Sequence, residues 1–276
     1  MKMNTNSAIT LFAVFILCLQ QSATADDFRS LEIGPADGDL LRGADARRQL
    51  IVTGETPDGS VVDATNSVKY EVSPGGVVEI DAKGLVTPLA NGEVTVKVSA
   101  EAGAAASAEK ILRVENFVDQ PVVNFPNQVV PIFTKHGCNG GGCHGKSSGQ
   151  NGFRLSLLGF YPNEDHEFLV KESRGRRITP ASPDLSLLLQ KAANLSPHGG
   201  GKRFGKDSFE YRIIHRWMRQ GMPYGNEADV KVQRISVFPE QRKMKKGTKQ
   251  QLSVTAFYSD GSYEDVTPMA TYEVND

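Results

Sequence analysis

The two ends of the chain are copies of one segment. When the N-terminal segment is shifted by 202 positions, related residues coincide without a gap. The coincidences are Ile33 with Ile235, Asp58-Gly59-Ser60 with Asp260-Gly261-Ser262, Thr65 with Thr267, and Tyr70-Glu71-Val72 with Tyr272-Glu273-Val274. Such a repeat predicts two copies of one fold, with a different region between them.

Both copies have the sequence pattern of β-strands. Apolar and polar residues alternate over residues 49–53 and 251–257, as they do in half-buried strands. Asp58-Gly59 and Asp260-Gly261 are tight-turn sequences, because glycine accepts the positive φ that a hairpin needs. With roughly six or seven short strands, residues 29–115 are predicted to form a small all-β sandwich.

A family resemblance supports this prediction. The string DGSVVDAT…YEV, followed by VVEIDAKGLVTPLANGEVTVKV, resembles bacterial Ig-like domains of group 2. The second copy, residues 230–276, stops before the strands that complete the first one. We therefore expect an incomplete second Ig-like domain, in a chain that is a fragment of a longer protein.

The first 25 residues are typical of a signal peptide. Lys2 precedes an apolar run over residues 8–19, which is too short to span a bilayer comfortably, and Ala23-Thr24-Ala25 offers a cleavage site. Cleavage after Ala25 would remove Cys18 and leave no stable membrane span. The mature protein is therefore expected in the periplasm or on the cell surface.

A compositionally different region occupies residues 116–226. It holds all five histidines, the single Trp217, and the two cysteines that remain after cleavage, Cys138 and Cys143. It carries 14 basic and 8 acidic residues, although the whole chain has a formal net charge of −1. That overall balance argues against a nucleic-acid partner.

Helices are predicted within this region. Asp207, with Glu210 three residues later, indicates a capping-box start for a helix that carries Trp217 inward. Ser182-Pro183 indicates a second start, and residues 163–173 a third helix.

The sequence GCNGGGCHG carries the chemistry. Two cysteines followed at once by histidine are the signature of c-type haem attachment, in which thioethers join the haem to both sulfurs. Cys138, Cys143 and His144 fill these places, with a spacing two residues longer than C-x-x-C-H. Asn139 and the glycines at 140–142 suit a tight loop that absorbs the extra length.

Two alternatives remain open from the motif itself. An exported protein permits a disulfide between Cys138 and Cys143, and a loop of this length can close. A Cys/His metal site is weaker, because structural zinc sites normally use a second cysteine pair.

The surrounding strings PIFTKHGCNGGGCHG, SPDLSLLLQKA, PHGGGKRF and YRIIHRWMRQGMP resemble the cytochrome c-like module of exported planctomycete-type multidomain proteins, in which group 2 Ig-like domains flank the module. The resemblance implies a mostly α cytochrome c-like fold over residues 116–226. It implies one covalent haem c, attached to Cys138 and Cys143, with His144 as the proximal iron ligand.

The second axial ligand is assigned by position. His198 lies in a glycine-rich loop before the last predicted helix, where such folds present this ligand, and Met222-Pro223 is the alternative. Arg203 is a candidate for pairing with a haem propionate, since guanidinium binds carboxylates through two hydrogen bonds. The other basic candidates for a propionate are Arg174, Arg176, Arg177 and Lys202. The alternative for each of them is a solvated surface charge.

These observations predict a monohaem c-type protein that transfers single electrons between Ig-like spacers, with a redox partner that presents an acidic surface. The alternative is a surface adhesion or scaffold protein whose two cysteines form a disulfide. No serine-hydrolase, zinc-protease or phosphate-loop motif is present, so an enzymatic domain is expected only beyond Asp276.

Overall fold

The computed structural model describes residues 28–100, 106–119, 121–226 and 228–275. The predicted signal peptide, including Cys18, lies outside the described residues. Strands outnumber helices across the described chain, which is built from an N-terminal sandwich, a region of short helices and loops, and a small C-terminal sheet.

The N-terminal sandwich is all β, as predicted. Its described strands form three sheets in the orders β1-β4-β5, β2-β10-β9-β6 and β3-β8-β7. All pairings are antiparallel except that of β10 with β2. The strands are β1 Ser30–Gly34, β2 Leu40–Arg42, β3 Arg48–Gln49, β4 Ile51–Glu55, β5 Val61–Asp63, β6 Val68–Ser73, β7 Val78–Ile80, β8 Leu85–Pro88, β9 Gly92–Ala100 and β10 Ser107–Glu115.

The sandwich closes around its own apolar core. Leu50, Val86 and Val96 are fully buried in it, and every member of this cluster lies between residues 28 and 117. The alternation seen in the sequence is the reason, because every second residue of a strand points to the same face. In β9, for example, Val94, Val96 and Val98 point inward while Glu93 and Lys97 do not.

The middle region is helical in part. Its helices are α1 Val130–Lys135, α2 Pro162–Val170, α3 Leu187–Ala192 and α4 Phe209–Arg219, with a π-helical turn at Phe125–Val129 and 3₁₀ turns at Leu157–Gly159, Glu172–Gly175 and Pro183–Leu185. Among the described residues of 116–226, the strand-like pairing is an isolated bridge between Gln150 and Phe153. The helices are few and short and loops predominate, so a mostly α module is not what the structure shows.

The longest helix, α4, anchors the core of this region. Trp217 and Ile214 are fully buried in a cluster that draws on all four helices, and the Trp217 indole N–H donates to the carbonyl of Pro223 at 2.8 Å. The predicted start was displaced by one residue. Ser208, rather than Asp207, is the N-cap, and its hydroxyl accepts from the Tyr211 amide.

The C-terminal copy forms a three-stranded antiparallel sheet of β11 Val232–Phe238, β12 Ser253–Tyr258 and β13 Tyr263–Asp265, followed by a 3₁₀ turn at Thr267–Met269. The order β11-β12-β13 matches β1-β4-β5. Both hairpin turns also match, with Gly59 at φ +81 and Gly261 at φ +82.

Strand pairing corrects the gapless alignment of the two copies at the first strand. Ile33 pairs with Val52, and Val237 pairs with Val254, the equivalent of Val52. Ile33 therefore corresponds to Val237 and not to Ile235, and Gly34 corresponds to Phe238. The connection between β11 and β12 is two residues shorter than the connection between β1 and β4. The sequence pattern conceals this difference, because moving a strand by two residues leaves its apolar side chains on the same face.

Candidate functional site

The two cysteines and His144 lie in a loop that starts where α1 ends. Gly137, at φ +67, ends the helix, and the Cys138 amide donates back to the carbonyl of Phe133 at 2.8 Å. The amide of His144 donates to the carbonyl of Cys138 at 2.9 Å. This bond closes the loop, so the two additional residues between the cysteines are folded into a turn.

One glycine of the loop is required by the packing. A Cβ on Gly145 would lie 1.9 Å from the carbonyl oxygen of Asn139, which is fully buried. The residue after His144 can therefore only be glycine if the loop is to keep this conformation.

The imidazole of His144 is held in one orientation. Its Nδ1 donates to the carbonyl of Phe153 at 3.0 Å, and its ring centre lies 4.5 Å from that of Phe153. Burial lowers the pKa of His144, with nearby cations acting in the same direction and the Phe153 carbonyl against it. A neutral imidazole with Nδ1 protonated presents its Nε2 lone pair as a metal ligand.

His198 faces His144. The two rings are parallel within 5°, and their centres are 6.5 Å apart. Nδ1 of His198 donates to the carbonyl of Gly201 at 2.8 Å, so its Nε2 is left as the free ring nitrogen. In the described part of the chain, neither Nε2 atom has a hydrogen-bond partner.

The ring separation fits one metal ion between two imidazoles. Metal–nitrogen bonds are about 2 Å long and the ring nitrogen lies about 1 Å from its centroid, so trans imidazoles have centres about 6 Å apart. A separation of 6.5 Å also lies within the range of about 4.5 to 7 Å found for direct ring–ring contacts. The ring separation is therefore compatible with one metal ion between the two imidazoles and equally with a direct contact of the rings.

Arg203 also lies at this site, next to sulfur. Its Nη2 donates to the Sγ of Cys143 at 3.4 Å and its Nη1 to the carbonyl of His136 at 3.1 Å. Burial raises the pKa of the Cys138 thiol to about 11, although the Arg203 charge lowers it. The role of Arg203 towards a haem propionate stays a prediction.

Met222 packs against the apolar core of the region. Its φ is +59, its carbonyl accepts from Nε2 of His166 at 2.8 Å, and its side chain packs against the helical cluster. Of the two candidates for the second axial ligand, His198 is the one with a ring contact to His144, and its role as a ligand stays a prediction.

The remaining histidines have protein partners. Nε2 of His136 lies 3.1 Å from Oε1 of Glu210, His166 bonds to Met222, and Nε2 of His215 lies 3.5 Å from Oδ2 of Asp184. Each of these contacts occupies Nε2 of its ring.

Arg177, one of the basic residues that the sequence offered for a haem propionate, lies beside His144 in a role that the sequence did not indicate. It is buried, its guanidinium lies over the Phe153 ring at 4.7 Å, and it donates to the carbonyls of Gly152 and Phe168. It therefore fixes the segment whose carbonyl orients His144. Nothing in the string SRGRRI distinguishes it from Arg174 and Arg176, which are exposed.

The alternatives for the cysteines can be compared with the structure. Cys138 and Cys143 are both free thiols, and no cysteine pair of the described residues lies at disulfide distance. Within the same residues there is no cluster of three or more His, Cys, Asp or Glu side chains suited to a metal ion.

Comparison with known families assigns the first sandwich. Residues 44–110 match the family model described as bacterial Ig-like domain (group 2). This sandwich is a group 2 bacterial Ig-like domain. Ig-like domains of bacteria are typically extracellular or on the cell surface, and no helix in the described ranges is long and apolar enough to cross a membrane. No curated protein matches the chain.

Proposed function

We propose that the chain is an exported c-type haem protein that transfers single electrons, with the haem between His144 and His198. The observation that carries the proposal is the geometry of these two imidazoles: parallel within 5°, 6.5 Å apart, and each anchored through Nδ1 to a backbone carbonyl. Bound haem would supply one-electron oxidation and reduction of its iron.

The residues of the chain would divide the work as follows. Cys138 and Cys143 would each add Sγ–H across one vinyl group, sulfur to one carbon and hydrogen to the other, with no net oxidation. The Phe153 and Gly201 carbonyls would hold each imidazole in the tautomer that leaves Nε2 free. On this proposal residues 116–226 form a cytochrome c-like module.

The positive charge of the middle region supports a redox partner with an acidic surface. Residues 116–225 carry six more basic than acidic residues, and Arg174, Arg176 and Lys202 are exposed. Such a surface favours a redox partner with an acidic face and an association rate that falls as salt rises.

Covalent attachment is the direct test. In a host that matures haem c, the full chain should give a pyridine haemochrome spectrum and keep one haem mass after denaturation. Cys138→Ala and Cys143→Ala should each abolish the normal two-thioether product, and the double variant should carry no covalent haem. Ser147→Ala, an exposed change in the same loop, is the matched control and should load normally.

The second candidate is a surface adhesion or scaffold protein, which the Ig-like match favours. A colourless chain whose mass equals the polypeptide minus two hydrogens would establish the Cys138–Cys143 disulfide. It would remove the haem proposal.

A further inference from the structure

The two Ig-like copies contact each other, and the contacts are reciprocal. The amide of Gln49 donates to Oδ2 of Asp265 at 2.7 Å, and the amide of Gln251 donates to Oδ2 of Asp63. Gln251 is the equivalent of Gln49, and Asp265 is the equivalent of Asp63. Each copy therefore gives the other the same donor and the same acceptor.

The two carboxylates are used in the same way in both copies. Oδ1 of Asp63 accepts from the Thr65 amide and Oδ1 of Asp265 from the Thr267 amide, both at 2.9 Å. One oxygen thus holds the turn of its own copy, while the other binds the opposite copy. Oδ2 of Asp265 also accepts from the Ser253 hydroxyl of its own copy at 3.3 Å. Asp265 and Gln49 are buried by this arrangement.

A third contact joins one position to its own equivalent. A Cβ on Gly34 would lie 2.4 Å from the ring of Phe238, and these residues correspond by strand pairing. In a two-fold symmetric interface, a residue near the axis meets its own counterpart. Gly34 provides the space that the Phe238 ring fills.

The Asp-Gly turns at the edge of this interface are also related reciprocally. Hydrogen bonds from Thr56 and Ser60 lower the pKa of Asp58 to about 2, and Lys245 of the other copy adds to the effect. Ser262 lowers the pKa of Asp260, the equivalent of Asp58, and here Arg42 of the first copy contributes. Each Asp-Gly turn therefore lies near a cation of the opposite copy.

We propose that this face of the group 2 Ig-like repeat is a self-complementary docking surface whose partner is another repeat of the same kind. In this chain the second copy occupies it, related to the first by a pseudo-two-fold axis near Gly34 and Phe238. The contact between the two copies then holds the two ends of the middle region together, so the copies do not act as spacers. The inference does not depend on haem.

Hydrogen exchange at two amides tests the reciprocity. In each aspartate both carboxylate oxygens accept a hydrogen bond, whereas asparagine has only one acceptor oxygen. We expect that oxygen to keep the bond within the turn, because its donor is only two residues away, and the bond to the other copy to be lost. Asp63→Asn in the full chain should therefore speed exchange at Gln251 at least tenfold and leave Thr65 protected. Asp265→Asn should do the same at Gln49 and leave Thr267 protected.

Two further variants complete the experiment. Gly34→Leu projects into the Phe238 ring and should accelerate exchange at both Gln49 and Gln251. Asp81→Asn is the control, since Asp81 accepts from Lys83 and Leu85 through one oxygen inside the first copy. Unprotected Gln49 and Gln251 amides in the unmodified chain, or protection unchanged in all three interface variants, would overturn the proposal.

Discussion

The candidate site depends on where single ring nitrogens point. In both His144 and His198, Nδ1 donates a hydrogen bond to a backbone carbonyl. The fold therefore determines that Nε2 is the nitrogen available to a metal. The packing around His198 is close, because a Cβ on Gly200 would lie 3.0 Å from its Cε1 and 2.7 Å from Nη2 of Arg203. The glycines of this loop let His198 and Arg203 approach the cysteine loop together.

His198 is expected to be the sixth iron ligand. Ferric haem in the loaded chain should be low-spin, and His198→Ala should make it high-spin or water-ligated, because one imidazole is lost. Added free imidazole should restore the low-spin spectrum, because it can occupy the position that the missing side chain leaves open. Met222→Ala is the comparison variant and should change little.

The opposite spectrum would reverse this assignment. A charge-transfer band of an iron–methionine bond that disappears in Met222→Ala would identify Met222 as the ligand. If the unmodified chain is already high-spin and neither substitution alters its spectrum, the iron has an open sixth position, and ligand binding would replace electron transfer as the better function.

Between helices, a hydrogen bond between His136 and Glu210 ties the end of α1 to the start of α4. His136 follows α1, Glu210 lies in the first turn of α4, and the carboxylate of Glu210 also receives hydrogen bonds from the α4 N-terminus. Burial raises the pKa of Glu210, but the bonds from His136, its own backbone and Ser208 outweigh it and hold the pKa at about 2.

Acid stability should report this pair. A carboxyl group whose pKa is lower in the folded chain stabilises above its unfolded pKa of 4.5, and the contribution is lost as the pH falls towards 2. Glu210→Gln should lower the free energy of unfolding at neutral pH by about 1 to 3 kcal/mol. It should also reduce the change in the free energy of unfolding between pH 4.5 and pH 2, as measured by urea denaturation at each pH.

The exposed Glu167 on α2 provides the control for this measurement. Its pKa is also lowered, by a hydrogen bond from Lys171, but both side chains are in solvent. Glu167→Gln should therefore leave the acid profile nearly unchanged. An unchanged profile for Glu210→Gln as well would show that the α1–α4 pair does not stabilise the fold.

In the molecule as a whole, the sandwich is tied to the middle region by a largely buried ion pair. Nη1 of Arg216 on α4 bonds to Oδ2 of Asp45, in the loop between β2 and β3, and Nε of Arg216 is buried without a partner. The pair lies beside a cleft of about 920 Å³ that the sandwich, the middle region and the C-terminal sheet line together. Arg216 thus connects α4, which carries Trp217, to the Ig-like domain.

Removing one partner should cost more than removing both. Asp45→Ala leaves the Arg216 charge uncompensated and should lower the free energy of unfolding by about 2 to 4 kcal/mol. Asp45→Ala combined with Arg216→Met should recover part of that loss, because no isolated charge remains. Arg219→Met, an exposed change on the same helix, is the control, and chemical denaturation measures all three.

The double variant decides the interpretation. If it is no more stable than Asp45→Ala, the loss comes from packing around residue 45 and not from a stranded charge.

The sequence by itself determined the features that depend on neighbouring residues. Alternation and the Asp-Gly turns located the strands and hairpins of both copies, since side-chain direction and positive φ are local properties. The cysteine and histidine spacing identified Cys138, Cys143 and His144 as one group, because a short loop must keep them together.

Only the tertiary structure decided the features that join distant segments. The approach of His198 to His144, the capture of the Phe153 segment by Arg177, and the reciprocal bonds of Gln49 and Gln251 depend on how loops pack after the chain has folded back. The two-residue shift at β11 was hidden for a related reason: moving a strand by two residues leaves its apolar face in place, and only the hydrogen-bond partners across the sheet show the difference.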